Sequence, residues 1–110
     1  MSSYALILEP VPYRIEYSPD AVEHLRALTA RQRALILLGV NEQLGQQPTV
    51  PTRNRKRMRT NPVAQWELRI GSLRVYYDVE EEEPTKTVVV LAVGAKEGNR
   101  VSIGGEVIDL

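Results

Sequence analysis

The segment Trp66–Val79 restricts the fold more than any other stretch of this chain. Gln65-Trp66-Glu67-Leu68-Arg69-Ile70 alternates polar and apolar residues, and so does Leu73-Arg74-Val75-Tyr76-Tyr77-Asp78-Val79. Only Gly71-Ser72 lies between, the composition of a two-residue type II′ turn. A hairpin closed there sets Ile70 against Leu73, Arg69 against Arg74, Leu68 against Val75, Glu67 against Tyr76 and Trp66 against Tyr77. Side chains alternate across a strand, so Trp66, Leu68, Ile70, Leu73, Val75, Tyr77 and Val79 form an apolar face that needs a partner layer. Glu67, Arg69, Arg74, Tyr76 and Asp78 form the other face, expected to be wet. Two arginines directly opposite cost roughly 0.2–1 kcal/mol, which an anion between them would relieve. A phosphate is the obvious candidate.

The partner layer is predicted from the N-terminal half. Tyr13–Tyr17 alternates and reads as a strand. Ser18-Pro19-Asp20 opens a helix: Ser caps, Pro takes the first helical position and Asp suits the positive helix end. Val22, Leu25 and Leu28 give it helical spacing. Thr29-Ala30-Arg31-Gln32 fits a capping box and starts a second helix, with Leu35, Leu37, Leu38, Val40 and Leu44 as its apolar residues. Gly45 and Pro48 stop it. Residues 48–64, with Pro48, Pro51 and Pro62, read as a loop. Glu80–Pro84 is an acidic turn. Thr87–Val93, apolar on both faces, is a central strand that Gly94 ends. Val101 and Ile103, then Gly104-Gly105, then Val107 and Ile108 suggest a short terminal hairpin. The order β-α-α-β-β-β predicts an α+β domain: a mainly antiparallel sheet of about four strands with a helical hairpin on one face.

Several chemistries are excluded. The chain has no cysteine and one histidine, His24, read as a surface or edge residue. Disulfides, thiolate catalysis and His-cluster metal sites are therefore ruled out, and no cofactor is expected. The apolar run Tyr4–Leu8 is short for a signal-peptide core, and no stretch reaches the roughly 18–20 apolar residues of a membrane span. The expected location is the cytoplasm. The formal net charge is zero, yet it is unevenly spread. Residues 53–74 hold seven basic side chains against one acidic, a net +6, while residues 75–110 hold three against eight, a net −5. A positive block on a neutral chain suits a polyanion or an acidic partner segment.

The basic loop, the hairpin Trp-Glu-Leu-Arg-Ile-Gly-Ser-Leu-Arg-Val-Tyr-Tyr-Asp-Val and the last strand Val-Val-Val-Leu-Ala-Val-Gly together resemble the RelE/ParE toxins of bacterial type II toxin–antitoxin systems. The resemblance spans Tyr13 to Arg100. It implies a toxin domain at 13–100, with 1–12 an N-terminal extension and 101–110 a tail or short hairpin, silenced by a cognate antitoxin. The expected activity is that of the RelE branch, a metal-independent endoribonuclease that cuts messenger RNA on the ribosome and so inhibits translation; the alternatives are a DNA gyrase inhibitor without nuclease activity, as the ParE branch implies, and a catalytically degenerate toxin. Carried over residue by residue, Arg74 matches the family's transition-state-stabilising arginine, and Arg69 a basic residue on the preceding strand. Lys96 falls where another arginine is common. Arg53, Arg55, Lys56, Arg57 and Arg59 match the stretch that holds the RNA backbone. Glu67 stands where lysine is frequent, and Ser102 lies near the place of a C-terminal catalytic tyrosine. For metal-independent RNA cleavage, Arg69 and Arg74 would stabilise phosphorane charge and Glu67 would be the base. Tyr76 would position substrate or move a proton, and Lys96 would be the donor or a second clamp.

Overall fold

The computed structural model describes residues 12–82 and 85–108. The apolar run Tyr4–Leu8 and the end of the acidic turn, Glu83-Pro84, lie outside them. Strand β1 is Arg14–Tyr17, followed by helices α1 (Pro19–Arg26) and α2 (Ala30–Leu44). Strands β2 (Arg55–Arg57), β3 (Trp66–Ile70), β4 (Leu73–Glu80), β5 (Thr87–Glu97), β6 (Arg100–Ile103) and β7 (Glu106–Ile108) complete the chain. They form one seven-stranded sheet in the order β2-β3-β4-β5-β6-β7, with β1 also on β5. The expected sheet of about four strands is thus extended at both ends. At one end β2 arises inside the segment read as a loop. At the other the terminal hairpin joins the sheet.

Both helices begin where their caps predict. The Ser18 side chain accepts from Ala21 N and the Thr29 side chain from Gln32 N, the second within a complete capping box. Their buried sides match the predicted ones in part, at Leu25, Val40 and Leu44, with Leu28 packed alongside. Ala21 and Leu25 of α1 and Ile36, Val40 and Leu44 of α2 enter the core, while Val22, Leu35, Leu37 and Leu38 remain exposed. A helix apolar on several sides does not announce which stripe will be covered.

The β3–β4 register is the expected one at all five pairs, from Trp66↔Tyr77 to Ile70↔Leu73. Gly71 has φ 59 at the turn, where a side chain would be strained. Trp66 and Tyr77 stack with ring centroids 6.1 Å apart, and Tyr77 Oη donates to Pro48 O at 2.6 Å. The predicted apolar face packs into one cluster with the buried residues of both helices.

Strand β5 organises everything else. Its first half pairs in parallel with β1 and its second half antiparallel with β6, along the edge away from β4. The register against β4 slips between Tyr76 and Tyr77, because Tyr76 opposes Ala92 and Tyr77 opposes Val90. Leu91 is therefore an extra residue, a β-bulge, and the core-facing set changes from Val88 and Val90 to Val93 and Ala95. Ser18 fixes α1 at this bulge: its N–H donates to Val90 O at 2.9 Å and its hydroxyl to Leu91 O at 3.2 Å. Gly94 does not end the strand. A Cβ there would collide with Ser102 O, so glycine lets β6 lie close against β5 while the strand runs on to Glu97.

Candidate functional site

The face of the sheet opposite the helices was expected to be wet, and half of it is not. Tyr76, Ala92, Ala64 and Ile103 are buried there as a second apolar cluster, with Met58, Val63, Leu91, Val101 and Ile108 packed against it. Two elements provide the cover: the loop after β2 and the β6–β7 hairpin. Asn61 shapes the loop. Its Oδ1 accepts from Val63 N and Ala64 N at 2.8 and 3.0 Å, and its Nδ2 donates to Arg59 O and Ala64 O at 2.7 and 2.9 Å. One side chain thus closes the turn from within, as asparagine does before proline in tight loops.

The ten predicted site residues separate into two groups. In the first, each charged group has a partner within the fold. Arg69 and Arg74 are cross-strand partners as expected, but each finds its own acceptor. Arg69 Nε donates to Glu67 Oε1 at 3.0 Å. Arg74, only 7% exposed, turns Nη1 onto Gly71 O at 2.7 Å and Leu73 O at 2.9 Å. The pair needs no anion to coexist. Arg55 is buried too, with Nη1 on Gln43 O at 2.6 Å and Gln47 O at 2.7 Å. Helix α2 has no basic residue in its own last turn, so Arg55 supplies from β2 the cation that favours a helix C-terminus. Arg57 lies over the Trp66 ring, 5.7 Å from its centroid.

The second group faces solvent. Arg53, Lys56 and Arg59 are exposed and Lys96 is half-buried; their side chains make no hydrogen bond or ion pair with a described residue. Lys56 is the cross-strand neighbour of Glu67. Together with Arg57, Arg59, Thr60 and Asn61 these two line a groove of about 510 Å³. Lys96 lies one row beyond Arg74, at the hairpin-turn end of the face, where its N–H donates to Ser72 O at 2.8 Å.

Tyr76 is fully buried and its hydroxyl has no hydrogen-bond partner. Burial first, then the Glu67 carboxylate that it faces, push its pKa well above the ordinary tyrosine value; Arg74 and Arg69 pull back only in part. A proton donor works best with a pKa near the operating pH, and this hydroxyl lies far from it. Ser102 pairs with Ala95 and so lies on the opposite face from Lys96 and Arg74. The expected RNA-cleaving set is thus spread over three rows of the sheet: Tyr76 beside Glu67 is covered, Arg69 and Arg74 form the next row, and Lys96, the expected donor, lies half-buried and unpaired among the described residues at the hairpin-turn end.

Three residues that shape this region carried no functional weight in the sequence. Gly94 was legible only as a strand end, and Asn61 not at all. His24, expected at the surface or an edge, is half-buried, and its Nδ1 accepts from Val93 N at 3.3 Å, just beyond the bulge.

Residues 15–99 match the model of the family described as the ParE toxin of the type II toxin–antitoxin system. The crystal structure of the toxin–antitoxin complex RelBE2 from Mycobacterium tuberculosis contains a chain 27% identical to this one, with a TM-score of 0.66; the match covers 78% of this chain and 100% of that chain. No curated protein matches. Among the described residues, no helix is long and apolar enough to cross a membrane.

Proposed function

The chain belongs to the RelE/ParE toxins of type II toxin–antitoxin systems, and from that premise we propose that it arrests cells by binding DNA gyrase, without bond-breaking chemistry of its own. One observation carries this reading: on the face where RNA cleavage would take place, Tyr76, expected to position substrate or move a proton, is buried with a raised pKa and the candidate charge stabiliser Arg74 is turned onto backbone carbonyls. What remains outward is a surface for contact. Arg53, Lys56 and Arg59 supply unpaired charge, and Val22, Leu35, Leu37 and Leu38 supply exposed apolar area on the helices.

A messenger-RNA nuclease is the second reading, and the basic groove beside Glu67 favours it, since Lys56 and Arg59 could hold a phosphate backbone. Purified toxin added to gyrase and relaxed plasmid separates the two. We expect supercoiling to stop, or cleaved plasmid to accumulate, at toxin concentrations that leave messenger RNA on programmed ribosomes intact. Cut messenger RNA with unimpaired supercoiling would replace the first reading with the second.

The cognate antitoxin is the natural partner of the outward surface in resting cells. An acidic, amphipathic segment that folds on binding would match both the unpaired cations and the exposed leucines.

A further inference from the structure

Glu67 is a buried carboxylate at the edge of a groove ringed by cations, 9% exposed. Arg69 orients it through Oε1. Lys56, directly across the strand pair, is exposed and makes no ion pair with it. A purely anionic ligand, whether free phosphate or an acidic peptide, would gain from Lys56 and Arg59 but meet repulsion from Glu67. The groove therefore suits a ligand with two ends, one offering N–H donors and the other carrying negative charge.

We propose that this groove binds a guanine nucleotide, with the base on Glu67 and the phosphate on Lys56 and Arg59. Guanine presents N1–H and the exocyclic amino group as two parallel donors, a match for the two oxygens of a carboxylate. Adenine and cytosine place one amino donor beside a ring acceptor, and uracil sets its N3–H between two carbonyls; a carboxylate repels each of these acceptors. Lys56 and Arg59 are exposed and unpaired, free to turn onto a phosphate. The groove, about 510 Å³, is within the range of nucleotide-sized sites. Behind the carboxylate, the buried Tyr76 hydroxyl and the second apolar cluster keep the floor dry, which strengthens any hydrogen bond made there. The assignment is independent of whether gyrase or the ribosome is the cellular target.

The test is calorimetry of the purified chain with 5′-GMP, 5′-AMP, 5′-CMP and 5′-UMP. GMP should bind roughly tenfold tighter than the others, within the range that one bidentate base contact supplies. Glu67→Gln, nearly the same shape, should abolish the preference for guanine and shift it toward adenine. Lys56→Ala, at an exposed position, should weaken all four nucleotides alike, so that the phosphate contact is tested even if a Glu67 variant folds poorly. A short guanine-containing single strand, in ribose and deoxyribose forms, then identifies the source: tighter binding than GMP assigns the site to a strand, weaker binding to a free nucleotide. The proposal is overturned if the four nucleotides bind equally or not at all. It is also overturned if guanine preference survives in a folded Glu67→Gln protein, or if Lys56→Ala binds GMP as the parent does.

Discussion

The two faces of this sheet are made by the same strands and obey different rules. On the helix side, every other residue of β3 and β4 enters one apolar cluster, and stability comes from area removed from water. On the other side, charged side chains are sorted by a few individual hydrogen bonds. Arg69 and Arg74 there, like Arg55 on the helix side, are bonded to acceptors within the fold, whereas Arg53, Lys56 and Arg59 are held by no described residue. Position in sequence does not separate them: Arg55 and Lys56 are adjacent and alternate across the strand, one under the helix and the other over the groove. The lesson is that a basic block is two sets of residues, and only one of them is available to a partner.

Substitutions on the first face should cost the most stability. Leu68→Ala removes a fully buried side chain from the centre of β3 and is expected to cost about 2–5 kcal/mol in chemical denaturation. A smaller loss would mean that the helix layer is loosely packed. Next comes Gly94→Ala, whose Cβ would collide with Ser102 O. Shifting the β6–β7 hairpin to make room should cost about 1–3 kcal/mol and speed amide exchange in β6 before β3. If exchange rises evenly along the sheet, the hairpin is not a separately held element.

Arg55→Ala and Lys56→Ala sharpen the contrast between neighbours. The first strips two carbonyls at the end of α2 of their donor and should cost about 1–3 kcal/mol. The second should stay within about 0.5 kcal/mol, as most exposed substitutions do. Lys56→Ala with Arg59→Ala should instead slow association with the antitoxin and flatten its salt dependence, because long-range attraction acts mainly on the encounter rate. Equal stability losses for Arg55→Ala and Lys56→Ala, or an unchanged association rate in the double variant, would dissolve the distinction. The smallest effect is expected from Tyr76→Phe. It deletes a buried hydroxyl with no partner, so stability should hold or rise by up to about 1 kcal/mol, and growth arrest should persist.

Much of the first face was legible in the sequence because its signals are local and redundant. The Gly71-Ser72 turn sets the β3–β4 register, and Ser18 and Thr29 mark both helix starts with their own side chains. The second face depends on contacts across long stretches of chain. Alternation put Tyr76 among charged residues, and nothing near it announces that Met58, Val63 and Ile103 will cover it. The Leu91 bulge is equally hidden: a run of apolar residues on both faces conceals a change of parity, and only Ser18 meeting it from α1 gives it a role. Gly94 was misread as a strand end because close approach of β6 and termination favour the same residue. The arginine clash at 69 and 74 was a sound inference about register, while the acceptors that an anion was expected to supply come from Glu67 and two turn carbonyls.

On the function proposed above, this toxin works through its outward cations and apolar helix surface, not through proton transfer on the covered face. Mapping messenger-RNA 5′ ends by primer extension in cells expressing the toxin alone, while following chromosome breaks in the same culture, tests it most directly. The account predicts growth arrest with accumulating breaks and intact transcripts. Discrete new 5′ ends within translated codons, with the chromosome unbroken, would contradict it.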